Sequence, residues 1–200
     1  SSENRIASHI DEASEVRALP RQQLRKVVLQ SAIIYGPVYS RRLGRSLGIN
    51  LLPTRYKLCS FNCIYCQYGW TKNVALSPAE RLNDLPTPDE VANAIGLALQ
   101  RLSHDRQTVD SITICGNGEP TLYPKLAEVI ATARRLRDRY LPKARLSILS
   151  NSSTVGSKAV RDALEPLDLK IMKFDAGSEE MFRQLNHPRS PIYIGEIVAG

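Results

Sequence analysis

From Thr87 onward, apolar residues recur at helical spacing, and short β-branched runs separate the helical stretches. Thr87-Pro88-Asp89-Glu90 reads as a capping box with proline at the first helical position, which predicts a helix start. Val91, Ile95, Ala98 and Leu102 then mark its buried stripe. Residues 109–115 predict a strand, and Tyr123-Pro124 predicts a second helix with the stripe Leu126, Val129, Ile130, Ala133 and Leu136. Strand, helix, strand and helix follow at about residues 144–150, 157–164, 169–174 and 178–185. Strands alternating with helices predict an α/β fold with a parallel sheet and right-handed crossovers. Ligands of such sheets gather at the C-terminal ends of the strands.

The first part of the chain is less regular. Residues 1–35 are charged and mixed and end in Val27-Val28-Leu29 and Ala32-Ile33-Ile34, which predicts a short helical extension to a core over 36–200. Gly36-Pro37 predicts a break, followed by a basic loop with Arg41, Arg42 and Arg45. Residues 46–52 read as a strand that stops at Pro53, so its C-terminal end delivers the cysteine-bearing loop.

Composition narrows the class. Of 200 residues, 42% are hydrophobic and 24% charged, the balance of an ordinary soluble domain. No apolar run is long enough for a membrane helix, and the N-terminus is charged where a signal peptide is apolar. The net charge of +7 suits a phosphate-rich partner, and equally suits plain solubility. Three of four cysteines fall within eight residues, unlike a spread disulfide framework, so a reducing, cytoplasmic location is expected.

Cys59, Cys63 and Cys66 have the spacing C-x3-C-x2-C. Thiolates are the usual ligands of iron–sulfur clusters, and three of them leave one iron of a cubane open. Structural zinc would need a fourth ligand, from Cys115 or from the scattered His9, His104 or His187. Buried free cysteines are the third reading.

With an aromatic before the last cysteine, this motif resembles the signature of the radical S-adenosylmethionine (radical SAM) enzymes. The wider stretch GPVYSRRLGRSLGINLLP, with CSFNCIYCQYG, GNGEPTLYP and FDAGSEE, is similar to the wyosine-synthesis-like Fe–S oxidoreductases. The resemblance implies a partial (β/α) barrel, here truncated after about four βα units, since residues 191–200 start an element that does not finish. It implies that Cys59, Cys63 and Cys66 bind a [4Fe–4S] cluster whose open iron chelates S-adenosylmethionine. Tyr65 would lie near the adenine. Gly116, Asn117, Gly118 and Glu119 would engage the methionine amino group, and Ser150, Asn151 and Ser152 the ribose or carboxylate.

Arg41, Arg42, Lys173 and Asp175 are weaker candidates for substrate contacts. No catalytic side chain is assigned. The implied chemistry is reductive cleavage to a 5′-deoxyadenosyl radical that abstracts hydrogen from a substrate such as a tRNA base. A flavodoxin or ferredoxin would be the reductant. The rival class is a non-catalytic iron–sulfur or zinc module associated with nucleic acid. Blander readings stand beside the site. Ser150-Asn151-Ser152-Ser153 would cap the next helix, Cys115 would be a small buried hydrophobe, and the run Arg134 to Arg139 an exposed helix face.

Overall fold

The computed structural model describes residues 28–71, 73–74, 83–189 and 191–200. Five strands form one mixed sheet in the order β1-β2-β5-β6-β7, where β1 is Ile34–Ser40, β2 Gly44–Ile49, β5 Ser111–Ile114, β6 Arg145–Ser150 and β7 Leu169–Met172. The edge strand β1 runs antiparallel to β2, and the remaining neighbours are parallel. A small parallel pair, β3 (Leu58–Cys59) and β4 (Asn73–Val74), stands apart. The helices are α1 (Pro88–His104), α2 (Leu126–Tyr140), α3 (Lys158–Leu164), α4 (Glu179–Asn186) and α5 (Ile194–Ala199). Among the described residues no helix is long and apolar enough to cross a membrane.

Period-two alternation in the strands sorts the core. Leu47 and Ile49, Ile112 and Ile114, and Leu146 and Ile148 share a buried cluster with Val91, Ile95 and Leu99 of α1 and Val129, Ile130 and Ala133 of α2. The alternate positions carry hydroxyls that satisfy one another: Ser46 to Thr113 at 2.8 Å, Thr113 to Ser111 at 3.0 Å, and Ser111 to Ser147 at 2.6 Å. The predicted capping box forms, with Thr87 and Glu90 bonding reciprocally. The α1 stripe passes through fully buried Leu99, while Ala98 stays partly exposed.

Three expectations need correction. The helical extension falls mostly on residues 1–27, outside the described residues. Its last part, 28–33, forms no helix: the Ile33 carbonyl accepts the Asn50 N–H at 2.7 Å, and Ile33 and Ile34 pack on the core. Gly36-Pro37 does not end the chain segment but sits inside β1 as a register irregularity between Tyr35 and Val38. An edge strand tolerates a residue without an N–H, because one of its sides has no partner. The second helix starts later than Tyr123-Pro124, because Pro120–Leu122 turn as a short 3-10 element and α2 begins at Leu126.

The arginine run on α2 is not uniformly exposed. Arg137 is buried, donating to Asp168 at 2.6 Å and to the Ala144 carbonyl at 2.8 Å. Asp168 also accepts the Leu146 N–H at 2.7 Å, so the pair clamps α2 to the starts of β6 and β7. Burial alone would raise the Asp168 carboxyl, but the Leu146 N–H and the Arg137 guanidinium outweigh it and hold it below its ordinary value. A carboxyl depressed on folding stabilises the fold above its unfolded pKa of about 3.9, and that contribution fades as pH falls through the depressed value. Asp168→Asn should therefore cost about 1 kcal/mol at pH 7, a modest figure because the side chain is 40% exposed. The gap from the unsubstituted protein in urea unfolding should narrow at pH 3. An equal gap at both pH values would remove the ion pair from the account.

Candidate functional site

Because β2, β5, β6 and β7 are parallel, their C-terminal ends deliver Asn50, Cys115-Gly116, Asn151 and Lys173 to one edge of the sheet. The cysteine loop is fastened there by backbone. The Leu58 N–H donates to the Asn117 carbonyl, and the Glu119 N–H to the Leu58 carbonyl, both at 3.0 Å. Gly118, at φ +145, permits this approach, since a Cβ there would lie 1.7 Å from the Leu58 carbonyl oxygen. The Asn117 side chain is committed inside the protein, donating to the carbonyls of Gln30 and Pro53 and accepting the Gln30 N–H.

Glu119 is fully buried. One of its oxygens accepts from the Thr121 N–H (3.1 Å), the Thr121 hydroxyl (2.7 Å) and the Ser150 hydroxyl (2.8 Å), and the other from the Asn151 N–H (2.6 Å). Burial raises its carboxyl above the ordinary range, and the four donors oppose that shift. In this structure both oxygens face donors of the chain itself and tie the end of β5 to the end of β6.

The Ser150-Asn151-Ser152-Ser153 stretch does not cap α3, whose N-cap is Ser157. It reaches across to the cysteine loop instead. Asn151 Nδ2 donates to Ser60 Oγ at 3.0 Å and to Cys59 Sγ at 3.5 Å, and Ser60 and Ser153 share a hydroxyl contact at 2.5 Å. Ser152 Oγ donates to the Lys173 carbonyl, linking β6 to the end of β7.

Each of the three thiols faces a nitrogen donor. Besides Asn151 on Cys59, Lys57 Nζ lies 3.3 Å from Cys66 Sγ, while Lys173 Nζ and Asn186 Nδ2 lie 3.5 and 3.4 Å from Cys63 Sγ. Burial, then the nearby Glu119, pushes the Cys59 thiol up to about 12. Among the described residues, no three Cys, His, Asp or Glu side chains converge as a ready metal cage. The donor set itself fits an iron–sulfur cluster: three sulfurs on one loop, ringed by N–H groups of the kind that bond cluster sulfur.

Tyr65, Lys173, Asp175 and Asn186 form one network beside Cys63. Tyr65 donates to Asp175, Asn186 donates to the Tyr65 oxygen at 2.8 Å, and Lys173 Nζ pairs with Asp175 at 2.8 Å while lying 4.7 Å from the Tyr65 ring centre. Burial would lower the Lys173 ammonium pKa, but Asp175 and Tyr65 outweigh it and raise the value; burial would likewise raise the Asp175 carboxyl, but Lys173 and Tyr65 outweigh it and hold it down.

Arg41 and Arg42 are not brought to this edge. They lie in the turn between β1 and β2, at the opposite end of the sheet, beside the start of β5 where Arg45 N–H bonds Asp110. Six residues of β2 at about 3.3 Å each separate them from the mouth by about 20 Å. Strand direction decides this, and it places both arginines away from the cysteine-bearing edge. Cys115 stays apart from the other cysteines, its sulfur 2.8 Å from the Tyr35 hydroxyl and its thiol raised to about 11 by burial.

Lys57 and Asn186 were not legible as site residues. Lys57 is one of two basic residues just before the motif, with Arg55, and Asn186 sits 123 positions from the cysteine it reaches.

The fold and this cysteine-bearing edge define an α/β protein of one large class: the chain belongs to the radical SAM superfamily, whose family model matches residues 54–191. That family normally binds a [4Fe–4S] cluster and S-adenosylmethionine. A UPF0026 protein of Helicobacter pylori is 38% identical over 158 residues, 79% of this chain and 47% of its own length. A Brachyspira hyodysenteriae protein described as GTPase Obg is 35% identical over 182 residues, which is 25% of its own length. A GTP 3′,8-cyclase of Mycobacterium marinum is 32% identical over 145 residues, 70% of this chain and 34% of its own. The chain thus spans about half, or less, of the length of these relatives.

Proposed function

We propose that Cys59, Cys63 and Cys66 hold three irons of a [4Fe–4S] cluster and that S-adenosylmethionine binds at the fourth. When bound, the cluster, reduced by an external one-electron donor, would pass one electron to the sulfonium, breaking its S–C5′ bond to give methionine and a 5′-deoxyadenosyl radical that would take hydrogen from a substrate. The supporting observation is the three-thiol loop, ringed by N–H donors and fastened through Gly118 to the end of β5. The chain's own residues orient and enclose. Asn151 and Asn186 direct N–H groups at two of the sulfurs, Tyr65 offers a ring face near them, and Glu119 keeps the ends of β5 and β6 in register.

The finer reading is a partial (β/α) barrel in a cytoplasmic protein, fed by a low-potential donor of the flavodoxin or ferredoxin kind. Its substrate would be a phosphate-bearing molecule such as a tRNA, which the net charge of +7 would attract. Anaerobic reconstitution should load about four irons and four sulfides. Under reduction, 5′-deoxyadenosine should form with the intact protein and be absent with a Cys59→Ala, Cys63→Ala, Cys66→Ala triple variant. Equal yields would defeat the proposal, and uptake of a single zinc would favour a structural module.

A further inference from the structure

Lys57 is 5% exposed, and its ammonium reaches two acceptors: the Gly69 carbonyl at 2.7 Å and Cys66 Sγ at 3.3 Å. Among the described residues no carboxylate lies within ion-pair distance of it, whereas the other lysine that reaches a cysteine, Lys173 at the end of β7, is balanced by Asp175 at 2.8 Å. A buried charge without a counter-charge is costly, and proteins keep such groups paired or bound to an ion. An iron–sulfur cube on three thiolates is anionic, and Cys66 is one of the sulfurs that would carry that charge.

We infer that Lys57 is the built-in counter-cation of the cluster, a positioning residue that raises the cluster's reduction potential and holds the loop beyond Cys66 through Gly69. The inference rests on the proposed cluster. Reduction adds one electron and one negative charge to the cube, so a fixed cation against a ligand sulfur stabilises the reduced form more than the oxidised one. Hydrogen bonds to cluster sulfur act in the same direction. The electron comes from an external low-potential one-electron donor, and no bond to Lys57 forms or breaks.

The same charge should have opposite consequences in the two states of the protein. Without the cluster it is a buried cation with no carboxylate partner among the described residues, and its removal should not destabilise the fold. With the cluster it is compensated, and its removal should make reduction harder.

The experiment compares the unsubstituted protein with Lys57→Met, which keeps the apolar stem, and Lys57→Arg, which keeps the charge. Lys57→Gln serves as an uncharged N–H donor should the Met variant not fold. Thermal melting of the iron-free proteins should place Lys57→Met at or above the unsubstituted protein. Reconstituted and titrated under EPR, Lys57→Met should show about a tenfold lower ratio of reduced to oxidised cluster at a given ambient potential, about 59 mV for one electron. Lys57→Arg should stay close to the unsubstituted value. A Met variant with an unchanged potential overturns the inference. So does one that folds but takes up no iron, for Lys57 would then be a loop clamp rather than a counter-charge. If the unsubstituted protein itself takes up no iron, the cluster reading falls and this inference with it.

Discussion

Gly118→Ala should lower the unfolding free energy by about 4 kcal/mol, a large part of the 5–15 kcal/mol that holds a domain together. Two costs combine. A non-glycine residue at φ +145 carries about 1–3 kcal/mol of strain. The new Cβ would also stand 1.7 Å from the Leu58 carbonyl oxygen, a backbone atom that can retreat only by giving up its bond to the Glu119 N–H. Retreat of Leu58 moves Cys59, the next residue, so iron uptake on reconstitution should fall together with stability. Gly156→Ala provides the control, since a Cβ there meets nothing within 4 Å. Urea unfolding should separate the two variants by most of that difference; coincident midpoints would mean that the cysteine loop does not rest on Gly118.

Glu119→Ala should cost about 3–5 kcal/mol by the same measurement. The substitution strands two backbone N–H groups and two hydroxyls that now converge on the carboxylate, and each buried unmet donor costs about 1–3 kcal/mol. Water and hydroxyl rotation recover part of the sum. Glu119→Gln should fall between Ala and the native residue. It keeps the shape, but its NH2 must face a donor: the Asn151 N–H in one orientation, the Thr121 N–H in the other. A Gln variant as stable as the native protein would show that the four donors are not the reason for a carboxylate here. Because Asn151 also bonds Ser60 and Cys59, both variants should lower iron uptake as well.

Local patterns carried much of the fold. Thr87 and Glu90 cap α1 by a signal that lies within four residues, and the Val91, Ile95 and Val129, Ile130 stripes face the core as their spacing implies. Ile33 and Ile34 looked helical because neighbouring apolar residues fit either period; their burial against the core set the outcome. The three cysteines were legible by spacing alone. Ser150 to Ser153 were ambiguous between a cap for the next helix and contacts to a cofactor, as small polar residues suit both. The position of β6 beside β5 removed the cap, setting Ser150 and Asn151 against Glu119 and Ser60 instead.

The sequence by itself determined the periodicities, the helix start at Thr87, the alternating order of strands and helices, and the grouping of three sulfur donors in one short loop. All of these depend on residues only a few positions apart. Tertiary structure decided which polar groups meet. It set Lys57 against Cys66 with no carboxylate beside it among the described residues, closed Asn186 on Cys63, turned Glu119 inward onto four donors, and sent Arg41 and Arg42 to the far end of the sheet. Charge balance and hydrogen-bond satisfaction are properties of neighbours in space, fixed only once the strands have chosen their order and direction.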